Sequence, residues 1–305
     1  MRVLVLGAGG FLGGHAVESL RALPGARVLR GGRSPAGDLS LDLAATGVEP
    51  LAEALGALRP DAVVNCAGAV GGGAVRLAGL NARLPAVLCA ALERAAPAAR
   101  LVHLGSAGEY GPAEEGRSLA ETDPATPTSL YAATKLAGTL AVSGAPLDAV
   151  VLRVFNPVGP GAPEGGLPGR LAAELRRAGP GGTVVVGDLS AHRDFVDARD
   201  VARAVTAAVT APAPLPRILN IGGGEARPVR AVADGLVRAA GFRGRLTERG
   251  LGPERSAAVS WQRADIRSAA TALGWRPEYG LDTSLRDLWA AGAAGAALPA
   301  GHGPR

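Results

Sequence analysis

Tyr131 and Lys135 stand four residues apart in Tyr131-Ala132-Ala133-Thr134-Lys135, and Lys135 is the one lysine among 32 basic residues. With three tyrosines in the chain, chance would place the lysine there about 1 time in 100. On a helix this spacing puts both side chains on one face. An ammonium beside a phenol favours the phenolate, which equips a tyrosine as general acid or base. Arginine, a rigid planar fork, cannot replace the compact ammonium and its rotatable donors. The plainer alternative is an exposed tyrosine next to a solvated lysine. A hydroxyl to complete the device is Ser106, in Gly105-Ser106-Ala107-Gly108-Glu109-Tyr110-Gly111. It could donate to a substrate carbonyl oxygen, or simply bond local backbone as serines in turns do.

These residues need a scaffold, and the N-terminus supplies its first part. Arg2-Val3-Leu4-Val5-Leu6 runs into Gly7-Ala8-Gly9-Gly10-Phe11-Leu12-Gly13-Gly14 and a helix-compatible stretch from Ala16 to Ala22. Strand, glycine turn and helix in that order cradle a pyrophosphate, with Gly7, Gly10 and Gly13 admitting it to backbone N–H groups and the positive helix end. The next strand, Arg27-Val28-Leu29, leads to Arg30-Gly31-Gly32-Arg33-Ser34, with no acid before Asp38. An NAD site usually places a carboxylate there for the ribose 2′-OH, whereas arginine and serine suit a 2′-phosphate, so NADP(H) is expected over NAD(H). Asp42-Leu43 offers an aspartate to the adenine amino group. Asp61-Ala62-Val63-Val64-Asn65-Cys66-Ala67-Gly68 reads as a buried strand ending in small residues, where backbone passes close to a cofactor. The strand Arg100-Leu101-Val102-His103-Leu104 leads to Ser106, and both strand ends open on the edge where doubly wound sheets bind ligands.

Together these motifs resemble the extended short-chain dehydrogenase/reductases, the NAD-dependent epimerase/dehydratase group that acts on nucleotide sugars. The resemblance spans nearly the whole chain. It continues through Arg153-Val154-Phe155-Asn156-Pro157-Val158-Gly159-Pro160, Arg193-Asp194-Phe195-Val196-Asp197, Asn220-Ile221-Gly222-Gly223-Gly224 and Leu273-Gly274-Trp275-Arg276-Pro277. Two stretches, 105–111 and 186–195, are most similar to the GDP-4-keto-6-deoxy-mannose reductases. The resemblance implies that Ser106 polarises a C4 ketone, Tyr131 protonates its oxygen as NADPH delivers hydride, and Lys135 holds the nicotinamide ribose. It also implies cofactor contacts at Phe11, Leu12, Asn81, Phe155, Pro157 and Val158, beside Gly7, Gly10, Arg30, Arg33, Ser34, Asp42, Leu43, Cys66, Ala67 and Gly68. Substrate contacts are implied at Ala107, Glu109, Asn156, Arg193 and Arg255, with the arginine forks suited to a diphosphate. For Arg193 the alternative is a structural ion pair with Asp194, Asp197 or Asp200. The alternative activities are a nucleotide-sugar epimerase that retains its NAD(P) and a non-catalytic NADP-binding protein. A 4,6-dehydratase is disfavoured, because Ala107-Gly108 stand where its Asp-Glu pair would follow the serine.

The expected architecture is an α/β Rossmann-type doubly wound parallel sheet with a smaller, discontinuous substrate domain. Residues 1–158 and a returning segment 193–221 form the first, residues 159–192 and 222–289 the second, and 290–305, rich in Ala, Gly and Pro, a disordered tail. Trp261, Trp275 and Trp289 are expected as core anchors rather than sugar platforms. Helices over 77–94 and 130–143 have apolar faces, and the family resemblance implies that they pair in a homodimer. A net charge of +5 with a pI near 10.0 suits an anionic nucleotide-sugar substrate and cofactor. The arginines are spread along the chain and not clustered with aromatics, so no nucleic-acid partner is expected. Cys66 and Cys89 read as reduced core residues, and the histidines lack ligand spacing, so no metal is expected. No uninterrupted apolar stretch approaches membrane length and a strand begins at residue 2, so neither a membrane span nor a signal peptide is expected, and the protein is expected in the cytoplasm.

Overall fold

A computed structural model describes residues 1–212, 214–250 and 259–296. The chain alternates strand and helix through its first half: β1 (Arg2–Leu6), α1 (Phe11–Arg21), β2 (Arg27–Gly32), β3 (Leu39–Ser40), α2 (Val48–Leu58), β4 (Ala62–Asn65), α3 (Ala74–Leu77) and α4 (Leu84–Ala95). There follow β5 (Arg100–Ser106), α5 (Leu130–Gly144), β6 (Ala149–Val154), β7 (Pro157–Val158), α6 (Leu167–Ala178), β8 (Thr183–Val186), β9 (His192–Asp194), β10 (Val196–Asp197) and α7 (Ala198–Thr210). The remainder is β11 (Ile218–Ile221), β12 (Ala226–Pro228), α8 (Val229–Ala240), β13 (Arg245–Glu248), α9 (Arg267–Leu273) and α10 (Leu281–Ala296). Seven strands form one parallel sheet in the order β11-β6-β5-β4-β1-β2-β3.

Both faces of this sheet are covered, which is why its strands read as unbroken apolar runs. In β1, Val3 and Val5 point into a core with α1, α7 and α9, while Leu4 and Leu6 point into a second core with α2, α4 and α5. A third core lies apart from the sheet, where Leu171 and Leu175 of α6 and Val232 and Leu236 of α8 meet Val184, Val186, Leu285 and Leu288.

Three expectations differ from the structure. Ala269 and Trp275, assigned by sequence to the substrate domain, pack into the first sheet core, with the Trp275 indole N–H donating to the Asp200 carbonyl at 2.9 Å. Of the tail expected over 290–305, residues 290–296 continue a helix to Ala296, and 297–305 lie outside the described residues. Alanine is the strongest helix former, and Arg176 secures α10 by stacking on Trp289 at 4.3 Å and donating to its carbonyl at 2.6 Å. Trp261 is half-buried against His192 rather than in a core.

The helical run Ala74–Ala95 is 22 residues long and by composition alone could cross a membrane. Instead Leu84, Leu88, Ala91 and Leu92 are fully buried against the sheet. Between α3 and α4, residues Ala78–Arg83 widen into a π turn, a feature that frequently marks functional sites. Helix α5 lies against this turn at Gly138, where a Cβ would sit 2.1 Å from the Asn81 carbonyl oxygen. Gly138→Ala must therefore push α5 off the turn. We expect it to lower the unfolding free energy by about 1–3 kcal/mol, read by urea denaturation, and a wild-type midpoint would show that the helices tolerate separation.

Candidate active site

The catalytic candidates converge because β5 and α5 place them side by side. Ser106 ends β5 and serves as N-cap of the one-turn helix Ala107–Tyr110, its Oγ accepting from the Gly108 N–H at 3.2 Å. Tyr131 lies in the first turn of α5, which Ser129 caps by accepting from the Ala132 N–H. The Tyr131 hydroxyl donates to Ser106 Oγ at 3.3 Å, and both residues are half-buried. One turn on, Lys135 is buried and its Nζ donates to the Leu104 carbonyl at 2.5 Å. The same ammonium would lie 3.9 Å from a Cβ built on Gly68. Burial holds the Lys135 ammonium below the usual lysine range, opposed by the negative potential of Glu109.

Gly68 belongs to the wall of a cleft of about 390 Å³ at the carboxyl ends of β1, β2 and β4. Gly7, Gly10, Arg30, Arg33, Ser34, Asp42, Leu43, Cys66, Ala67 and Gly68, all expected from sequence, line it. Gly7 has φ +77°, and a Cβ there would lie 2.7 Å from the Ala67 nitrogen, so the turn requires glycine. Helix α1 starts at Phe11, within the glycine cluster. Phe11 and Leu12 therefore contribute first-turn N–H groups, while the Leu12 side chain packs into the first core. A helix N-terminus, a glycine wall and arginines fit a dinucleotide: the α1 turn would hold a pyrophosphate, and Arg30, Arg33 and Asp42 would hold the adenosine end. Arg76 and Leu80 also line the cleft and were missed by sequence. Their signal was faint, an i, i+4 pair following Gly71-Gly72-Gly73.

The other expected contacts are placed as follows. Asn81 is fully buried, with its amide bonded in both directions to Ala69 (2.8 Å each) and donating to Thr134 Oγ1, so it fastens the loop after β4 to α5. Phe155 is buried against Tyr110, and Val158 is buried in the third core, so neither side chain faces the cleft. Pro157 is half-buried in β7, paired with Val196. Glu109 has no exposed surface and cannot touch a sugar, because its carboxylate bonds Arg153, Thr139 and the Ser106 N–H. Ala107 is buried, its carbonyl accepting from Gln262 Nε2 at 3.0 Å. Gln262 also accepts from Asn156 Nδ2 at 3.0 Å, which ties Asn156 to the catalytic loop. Arg193 is buried with bonds to the carbonyls of His192 and Val259. Asp197 and Asp200, offered as its structural partners, pair with Arg199 and Arg203. Asp194 accepts the N–H groups of Gly223, Gly224 and Ala264, and burial pushes its carboxyl up to about 7. Arg255 lies outside the described residues.

The profile of the NAD dependent epimerase/dehydratase family matches residues 3–222. A dTDP-6-deoxy-L-talose 4-dehydrogenase (NAD(P)(+)) of Kitasatospora kifunensis is 37% identical over 308 residues, covering 95% of each chain. A dTDP-4-dehydrorhamnose reductase of Mycobacterium tuberculosis H37Rv is 32% identical over 321 residues, covering 98% of this chain and 93% of its own. Among solved structures, MoeE5 in complex with UDP-glucose and NAD superposes with a TM-score of 0.83 at 28% identity, covering 97% of this chain and all of its own.

Burial pushes both cysteine thiols, Cys66 on the cleft wall and Cys89 in α4, up to about 12. Because the thiolate is the reactive form, the native protein at pH 8 should resist a thiol-specific disulfide reagent and release two thiols only on denaturation. Rapid modification of one thiol in the native state would show that Cys66 is activated instead.

Proposed function

This chain belongs to the NAD-dependent epimerase/dehydratase family and is an NAD(P)-dependent enzyme that modifies nucleotide sugars; from that premise we propose that it interconverts the C4 ketone and alcohol of a nucleotide-activated 6-deoxyhexose, preferring NADP(H). The observation that carries this reading is the Tyr131 hydroxyl 3.3 Å from Ser106 Oγ, with the chain's one lysine buried beside Gly68 at the cofactor cleft. In the reducing direction Ser106 donates a hydrogen bond to the C4 oxygen and Tyr131 gives it a proton. A nicotinamide cofactor in the cleft supplies the hydride. Lys135 keeps a positive charge near the phenol, so that the phenolate left behind is stabilised until it is reprotonated.

Gly108 supports a ketoreductase over a dehydratase. A Cβ there would sit 3.4 Å from Ser106 Oγ and 3.7 Å from the Tyr131 ring, so an acid in that place would stand beside the proposed catalytic pair, and none is present. The names of the curated relatives support a dTDP-linked hexose ahead of the GDP-linked one suggested by the 105–111 and 186–195 motifs. Preference for NADP(H) is supported by Arg30 and Arg33 on the cleft wall, neither with a side-chain hydrogen bond or ion pair among the described residues. The homodimer expected through residues 77–94 and 130–143 belongs to the same proposal, with Leu140 exposed on the outer side of α5.

The deciding experiment follows NADPH oxidation and product mass with dTDP-, GDP- and UDP-linked 4-keto-6-deoxyhexoses, on protein whose mass in solution is read by sedimentation. One NADPH consumed per product is expected. Conversion without net NADPH loss would indicate an epimerase, no conversion would remove the proposed substrate, and a monomeric mass would remove the dimer. Tyr131→Phe should lower turnover about 10²–10⁴-fold with NADPH affinity nearly unchanged; full activity would exclude Tyr131 from proton transfer. Arg30→Ala and Arg33→Ala should weaken NADPH binding more than NADH binding, and equal losses would mean that no 2′-phosphate is read there.

A further inference from the structure

Glu109 has a more specific role than the sugar contact expected of it. We propose that Glu109 is a positioning residue for the reaction: its buried carboxylate is the counter-charge of Lys135 and holds Ser106 and helix α5 in register with each other. The inference rests on the ketoreductase reading only for its kinetic consequence.

The carboxylate occupies a built site. Oε1 accepts from the Ser106 N–H at 2.7 Å and from Thr139 Oγ1 at 2.9 Å, and Oε2 accepts from Arg153 Nε at 2.8 Å. Space for it exists because residue 105 is glycine, where a Cβ would lie 2.9 Å from Oε1 and 2.8 Å from Val151 Cγ1. Arg153 lies over the Tyr110 ring at 4.5 Å, and the Tyr110 hydroxyl donates to Asn220 Oδ1 at 2.8 Å. One oxygen therefore grips the catalytic serine's backbone and, through Thr139, the helix carrying Tyr131 and Lys135. Tyr131, Lys135 and Thr139 recur every four residues, so all three share the face of α5 turned to the sheet.

The charge balance points the same way. The charged and titratable groups acting on Lys135 are Cys66 after β4, His103 in β5 and Glu109 after β5, with Arg153 of β6 bonded to Glu109; Tyr131 lies one turn earlier on the same helix. Cys66 is held as a thiol and His103 as a neutral ring, both by burial. Two buried cations thus share one anion, Glu109.

The single lysine makes a direct test possible. Protein labelled with ¹³C,¹⁵N-lysine carries one labelled side chain, so the Lys135 titration is read by NMR without any assay of turnover. Glu109→Gln removes the negative charge and should lower the Lys135 midpoint by about one unit or more. Arg153→Gln removes the competing cation and should raise it. A scaffold role alone predicts no such opposite movement. An unchanged midpoint in Glu109→Gln, or shifts of the same sign in the two variants, would overturn the proposal. Should Glu109→Gln fail to fold, Arg153→Gln decides alone, an unchanged or lowered midpoint counting against it. Where turnover is measurable, kcat of Glu109→Gln should fall more than KM rises, its alkaline limb should follow the lysine midpoint downward, and Glu109→Asp should restore part of the rate. If the wild type reduces no 4-keto sugar, the ketoreductase reading fails while the lysine titration still decides the role of Glu109.

Discussion

A cation in a protein interior is expensive unless its charge and donors are matched, and the catalytic half of this molecule is arranged around two of them. Lys135 and Arg153 are both buried between the sheet and helix α5, with Glu109 fully buried between their elements. Removing one member of such a pair costs about 3–5 kcal/mol, because the other charge remains buried and unmatched. The surrounding layer is polar to match: Asn65 meets His103 at 3.1 Å, Asn81 holds Ala69, and Thr139 meets Glu109. These contacts leave little freedom for the ends of β4, β5 and β6 to move relative to α5.

The parallel sheet makes that layer possible. All its strands run the same way, so Asn65, Ser106 and Val154 come to one edge at the ends of adjacent strands. From β1 the chain passes outward to β2 and β3 and then back to β4 on the other side. That reversal opens the crevice where α/β sheets bind ligands, and the cleft lined by Gly7, Arg33 and Gly68 lies there. Lys135 reaches the cleft from the chemical side through Gly68, which has no side chain to intervene. The third core stands off the sheet, and its helix α10 is tied to the start of α7 by Ser284, which donates to Asp197, and by Asp287, which accepts from Arg199. Other buried polar contacts join the loops nearby. Gln262 bridges Asn156 to Ala107, and Asp194 gathers the N–H groups of Gly223, Gly224 and Ala264.

Arginine and carboxylate roles were the hardest to read from sequence. Arg193 and Glu109 carry charges that suit a diphosphate and a sugar, and both lie in motifs that resemble substrate loops. In the structure their side chains bond interior groups, Arg193 the carbonyls of His192 and Val259, Glu109 the Arg153 guanidinium. Val259 and Arg153 are 66 and 44 residues away, distances over which local pattern carries no information. Arg76 and Leu80 escaped notice for the opposite reason: an arginine and a leucine on a helix look ordinary until the helix is placed over the cleft.

The amino-acid sequence by itself determined the parallel α/β core, the glycine cradle and the Tyr131–Lys135 pair. Each is a local matter: unbroken apolar strands, glycines in the turn after the first strand, and a four-residue helical spacing that survives any tertiary arrangement. Only the tertiary structure decided which charged groups line the cleft and which face the core, that Ala269 and Trp275 pack against the sheet, and that Arg176 fastens α10 at Trp289. Burial and long-range partners set those outcomes, and both come into being only when distant segments meet.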